Sequence, residues 1–348
     1  MNFIRYCIIL GGGVIVLALI GGVAWYTGNL STTISIKKGS IALSQTTPAN
    51  NAINERLARN PLTGTLCAEG DARSFAVMLA ADTAARPLYG IAQADIVVEM
   101  PALTNGITRY MAVFGCEHAE EIGSIRSARH DFLLFAKSFD AIYAHWGGSY
   151  LALDALKTKE LDNIDALPNP YNAFYRKNDK QAPHNGFTSF ARLSAAAQKL
   201  GYRMTGSAIE YPRIRDEAVL HTDQNIVLGY PFPYNVDFSY HYATNSYVRL
   251  RGGEKEMDVA TNAQVEVKNV IVMRAVSRQV SPDYNDVEVE GEGSVIVYRN
   301  GEMKKGTWKR EEGRYVFIAE NGQAIGLVEG KTWISVIQTD QKVELTFK

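Results

Sequence analysis

DIVVEMPALTNGITRYMAVFGC, residues 95–116, decides how the fold is read. Two runs rich in β-branched and aromatic residues, 95–100 and 107–116, flank Asn105-Gly106. Asn-Gly between apolar runs favours the tight turn whose twist matches that of paired strands, so the stretch predicts an antiparallel hairpin.

Working outward, FAVML at 75–79 predicts a third buried strand. Residues 127–139 predict a helix, because Ala128, Phe132, Phe135, Ala136 and Phe139 recur at steps of three and four, with Ser127 placed as N-cap. DAIYAH at 140–145 reads as a strand broken by Gly147-Gly148, and helices follow at 150–157 and 188–200, the second closed by Gly201. Residues 60–210 therefore read as a mixed α/β domain with a partly antiparallel sheet.

Beyond 210 helical periodicity stops. Short β-prone runs separated by turns such as Asn300-Gly301 and Asn321-Gly322 predict a mostly-β domain over 211–348, sandwich or barrel-like. The fold class is thus α+β.

The N-terminus carries a different signal. Residues 7–26, CIILGGGVIVLALIGGVAWY, hold no charge and reach the roughly 20 residues that a bilayer core requires. Trp25 and Tyr26 suit an interfacial belt; Arg5 precedes the run, and Lys37 and Lys38 follow well after it. The expectation is a signal anchor over 1–27, a flexible spacer over 28–59, and a single pass through the cytoplasmic membrane. Its N-terminus lies inside, its body outside, and residues 7–26 contact lipid. A cleaved signal peptide ending near residues 22–24 is the rival reading. Of the three cysteines, Cys7 falls in the anchor. Cys67 and Cys116 are left either to pair, as an oxidising compartment allows, or to stand as separate buried thiols.

The 348 residues are 46 % hydrophobic and 21 % charged with net charge −1, an ordinary globular balance without a basic field for nucleic acid. No phosphate-loop or dinucleotide glycine fingerprint occurs, nor any paired metal-ligand spacing, so no cofactor and no metal are expected.

With these segments in place, the chain resembles the YerB-like lipoprotein family of bacteria. The matching pieces include NPLTG at 60–64, RPLYGIAQADIVVEM at 86–100, IGSIRSAR at 122–129, DAIYAHWGGS at 140–149, APHN at 182–185, YRNGEMKKGTWKR at 298–310 and GKTWISV at 330–336. The resemblance spans about 60–348. It implies two domains and an exported, envelope-attached location, and it supplies no reaction, because the family's domains have no assigned activity. The lipobox of the family is missing here.

Three motifs carry polar chemistry. Arg126 and Arg129 sit at a predicted helix start, where the dipole is already positive, so they call for a compensating anion: a ligand carboxylate or phosphate, or an internal acid such as Glu99 or Asp95. His145 and Ser149 border the Gly pair at a strand's carboxyl end, where α/β sheets collect ligands; Ser149 reads as an N-cap or a cleft hydroxyl. His184 and Asn185 lie in the loop before the last helix. With Arg109 and Glu99 these residues are expected to form one polar cleft.

Two functions follow. The first is an envelope protein that binds an anionic or polar ligand, a cell-wall fragment or an envelope protein partner, through Arg126, Arg129, Arg109, His145, Ser149, His184, Asn185 and Glu99. The alternative is an envelope-polymer hydrolase or transferase, with His145 or His184 as base, Ser149 or water attacking, and Arg126 stabilising the oxyanion. Trp308 and Trp333 are either core residues or a glycan-stacking platform.

Overall fold

The computed structural model describes residues 57–103, 106–208 and 210–347. The proposed anchor at 1–27 and most of the spacer fall outside the described residues. No helix among the described residues is long and apolar enough to cross a membrane. The last three residues assigned to the spacer, Leu57–Arg59, are a strand paired with Leu66–Ala68, so the folded body begins slightly earlier than the Pro/Gly cluster suggested.

The body is mostly β with few helices. Its first half supplies β1 (Phe75–Ala80), β2 (Ile96–Pro101), β3 (Thr108–Phe114), helix α1 (His130–Ser138), β4 (Ile142–His145), α2 (Tyr150–Leu156), β5 (Asn163–Asp165) and α3 (Phe190–Lys199). The second half supplies β6 (Gln224–Leu228), β7 (Val236–His241), β8 (Ser246–Arg251), β9 (Asn269–Arg274), β10 (Glu292–Arg299), β11 (Glu302–Glu311), β12 (Arg314–Ala319), β13 (Thr332–Ile337) and β14 (Val343–Phe347).

β2 and β3 form the expected antiparallel hairpin, with Ile96 opposite Val113 and Pro101 opposite Thr108. Around it grows a ten-stranded sheet in the order β12-β11-β10-β9-β13-β2-β3-β1-β4-β5. Residues 60–210 and 211–348 contribute to this one sheet: β13 runs parallel to both β9 and β2 and joins the halves. The second half is therefore not a closed sandwich or barrel. A smaller antiparallel sheet is built on β8-β7-β6-β14.

The large sheet is covered on both faces, which explains the uninterrupted apolar runs. Phe75, Val77 and Leu79 of β1 share a core with Phe238 and Tyr247 of the smaller sheet and Leu193 of α3. Ala76 and Met78, the alternate residues, pack in a second core with Phe132 and Phe135 of α1 and Ala152 of α2. Period-two alternation thus sorts each strand's residues between two cores. Trp308 and Trp333 are 1 % and 0 % exposed, so they are core residues and no glycan platform. Trp308 donates its indole N–H to the Arg274 carbonyl.

Two local readings are corrected. α1 starts at His130, not Ser127, and the residue at its N-cap is Arg129, which contributes no side-chain cap. The residues before it form an extended strap across the sheet end. The Arg126 N–H donates to Met78 O (2.9 Å), the Ala128 N–H to Gly147 O (2.9 Å), and Ser149 N–H returns to Ala128 O (3.1 Å). Tertiary pairing of the backbone overrode the local capping cue. The last helix starts at Phe190, capped by the Ser189 hydroxyl, while Thr188 ends a short strand. Cys67 and Cys116 form a disulfide, with Cα atoms 5.5 Å apart.

Candidate functional site: an arginine cluster at the strand ends

β1 and β4 run parallel, so their carboxyl ends, Ala80 and His145, lie on one side of the sheet. β3 is antiparallel to β1 and starts there, with Arg109 opposite Ala80. The strap crosses the same end and brings Arg126 and Arg129. Three cations from two segments thereby come within electrostatic reach of one another at the sheet end where α/β folds collect ligands.

Arg109 is the floor, only 4 % exposed. Burial lowers its affinity for a proton first, and Arg126 and Arg129 add repulsion, so its guanidinium is pushed down to about 9. Arg129 is lowered in the same direction, again by burial before the neighbouring Arg126 charge. Its guanidinium lies over the Tyr284 ring, 5.4 Å from the centroid. Asp82, just past the end of β1, approaches Arg126 at 3.8 Å. Tyr143 of β4 is fully buried, and burial raises its hydroxyl well above the ordinary tyrosine range. His184 stands at the mouth, where desolvation and then Arg126 push its imidazole below the usual value, favouring the neutral ring.

The cluster also holds hydrogen-bonding capacity that the protein leaves unused: Arg109 Nε and Nη1, Arg126 Nε, Arg129 Nε, Asp82 Oδ2 and His184 Nδ1 are buried without a hydrogen-bond partner in the protein. Leaving one such group unpaired costs about 1–3 kcal/mol, more when it is charged.

The buried Arg249 and Arg251 also keep nitrogens without hydrogen bonds, and differ from the cluster in their counter-charges. Arg249 and Arg251 flank Glu99: Arg249 Nη2 is 2.6 Å from Glu99 Oε2, Arg251 pairs with Oε1, and Arg249 also meets Glu256. Thr108 donates its hydroxyl to Glu99 (2.7 Å). Burial alone would raise the Glu99 carboxyl, but Arg249 and Arg251 hold it at about 2. There, internal carboxylates answer the cations. Glu99 is thus spent inside the fold and does not belong to the Arg109 crevice.

The remaining expected site residues scatter. His145 is 1 % exposed; its Nδ1 lies 2.8 Å from the Gly147 carbonyl and its Nε2 3.3 Å from the Asn163 side-chain oxygen. Ser149 is fully buried and its hydroxyl accepts from the Ala152 N–H, the ordinary N-cap role. Their burial keeps both away from a substrate. Asn185 accepts from Arg176 Nη1 at 2.5 Å. So Arg109, Arg126, Arg129 and His184 come together, while Glu99, His145, Ser149 and Asn185 serve the surrounding structure. Sequence reasoning missed Asp82 and Tyr143. Both follow the strand-end rule: one comes just after β1, the other two residues before the end of β4.

A second polar group lies beside the cluster. His130 Nε2 sits 2.9 Å from Asp131 Oδ1 and 3.0 Å from Asp286 Oδ1. Burial would lower the imidazole pKa, but the two carboxylates raise it, so a protonated His130 bridges two acids and the triad keeps an excess of negative charge.

Comparison with known proteins agrees with this architecture. Residues 62–203 match the family described as "Protein of unknown function (DUF3048) N-terminal domain", and residues 226–334 match its C-terminal domain. The chain is 29 % identical over 285 residues to "Putative lipoprotein YerB" of Bacillus subtilis (strain 168), across 80 % of this chain and 85 % of that protein. The crystal structure of the YerB protein from Bacillus subtilis superposes with a TM-score of 0.76 at 26 % identity, covering 83 % of this chain and 99 % of that one. The chain belongs to this YerB-like family of paired DUF3048 domains.

Proposed function

We propose that the protein is an extracytoplasmic, envelope-attached binding protein that holds an anionic ligand in the Arg109–Arg126–Arg129 crevice. The observation that carries this reading is the excess of positive charge: three mutually repelling guanidinium groups, Arg109 among them buried with unpaired nitrogens, have Asp82 as the one carboxylate at ion-pair distance among the described residues. An anion from outside supplies what the fold withholds. The Cys67–Cys116 disulfide fits an oxidising compartment, the relative is named as a lipoprotein, and the apolar stretch at 7–26 offers a means of attachment.

The hydrolase alternative, with His145 or His184 as base and Ser149 or water attacking, is less well supported: Ser149 and His145 are engaged by the backbone turn they support, which leaves it His184 and water alone.

The test is retention on purified envelope material. Arg126→Ala combined with Arg129→Ala is expected to leave the far-UV circular dichroism unchanged and to abolish retention. Retention equal to the parent protein would remove the proposal.

A further inference from the structure

We infer that the group recognised in this crevice is a phosphoryl dianion, the terminal phosphate of a monoester, rather than a carboxylate. The inference rests on the anion-binding reading above and names the chemistry of the anion.

Charge is the first argument. Three guanidinium groups face one carboxylate, Asp82, at 3.8 Å from Arg126. The next acid, Asp131, also acts on Arg129, although its oxygen is shared with His130 and with the Val287 N–H at 3.2 Å. The cluster is therefore left with an excess of between about one and two positive charges. A carboxylate cancels one of them; a phosphate monoester carries about −1.5 to −2 near neutral pH.

Donor count is the second. Arg109 Nε and Nη1, Arg126 Nε, Arg129 Nε and the Tyr143 hydroxyl are buried donors without acceptors. They come from β3 below, from the strap above and from β4, not from one guanidinium fork. A carboxylate presents two coplanar oxygens and suits a single fork, whereas a phosphoryl group offers three oxygens in a pyramid. Arg109 and Tyr143 are at least nine-tenths buried, at 4 % and 0 % exposure, so the site is built into the fold rather than assembled from surface side chains.

The experiment is isothermal titration of the full chain with methyl phosphate, dimethyl phosphate and acetate. Methyl phosphate is expected to bind at least tenfold tighter than the diester or acetate, and the binding is expected to vanish in Arg109→Met. Arg126→Gln, at the half-buried mouth, serves as a second variant should Arg109→Met fail to fold, and is expected to weaken methyl phosphate at least tenfold. Two further arms separate the sources of such a group. Soluble glycerol 3-phosphate represents a free ligand; phosphatidylcholine vesicles with and without phosphatidic acid represent a lipid headgroup. Arginine-dependent binding in either arm supports the assignment. If acetate equals methyl phosphate and both depend on Arg109, the phosphoryl assignment falls while anion binding stands. If no anion binds in an arginine-dependent way, both readings fall together.

Discussion

Arg109 and Glu99 stand on opposite faces of the same hairpin: Glu99 is paired with Tyr110 and Arg109 with Met100. Glu99 faces the core shared with the smaller sheet, where Arg249 and Arg251 meet it. Arg109 faces the strand-end crevice, where Arg126 and Arg129 repel it. One step in the pleat separates a cation answered inside the protein from one left for a ligand.

Arg109→Met is expected to stabilise the ligand-free protein. Removing a buried charge that lacks a full partner relieves its desolvation, and comparable replacements gain about 1–4 kcal/mol. Urea unfolding without ligand should show a higher midpoint at unchanged slope. A loss of about 3–5 kcal/mol, the scale of breaking a satisfied buried pair, would mean that Arg109 holds the fold together and is not reserved for an anion.

Glu99→Gln is expected to do the opposite, costing about 3–5 kcal/mol, because it leaves Arg249 and Arg251 buried without their counter-charge. The pH dependence has a definite sign. The folded carboxyl titrates at about 2, below its ordinary 4.5, so the folded state binds fewer protons across that interval. Its contribution is complete above about pH 4.5 and is lost as pH falls toward 2. Acid unfolding of the parent should steepen in that window, and the Glu99→Gln curve should lack this component.

Breaking the Cys67–Cys116 bridge is expected to cost about 2–4 kcal/mol, since it closes a loop of 49 residues in the unfolded chain. The double variant Cys67→Ser, Cys116→Ser should unfold at lower denaturant and show no further change on adding reductant. A parent whose midpoint ignores reductant under unfolding conditions would show that the bridge is not formed in solution.

The β2–β3 hairpin was legible because Asn105-Gly106 and the flanking apolar runs are local signals. Arg126 and Arg129 were legible because their charge opposes the helix end they were assigned to. Their actual setting, a strap hydrogen-bonded to Met78 and Gly147, was not, since neither partner is near in sequence. The side to which Arg109 and Glu99 point was hidden for another reason. In a strand buried on both faces the alternation of apolar residues disappears, and with it the cue for facing. Asp82 and Tyr143 were overlooked because each looks ordinary alone; only the parallel pairing of β1 and β4 makes them neighbours. The place of β13 between β9 and β2 depends on contacts across more than half the chain.

That placement has a bearing on biosynthesis. β13 is among the last strands to leave the ribosome, yet it fills an interior slot. Until residue 337 has emerged, β2 presents a bare row of amides and carbonyls, the kind of rim along which nascent copies polymerise. A transcript truncated between the two matched family segments would therefore yield a sticky fragment rather than a smaller working protein, and a chain in transit must be kept from sealing its sheet too soon.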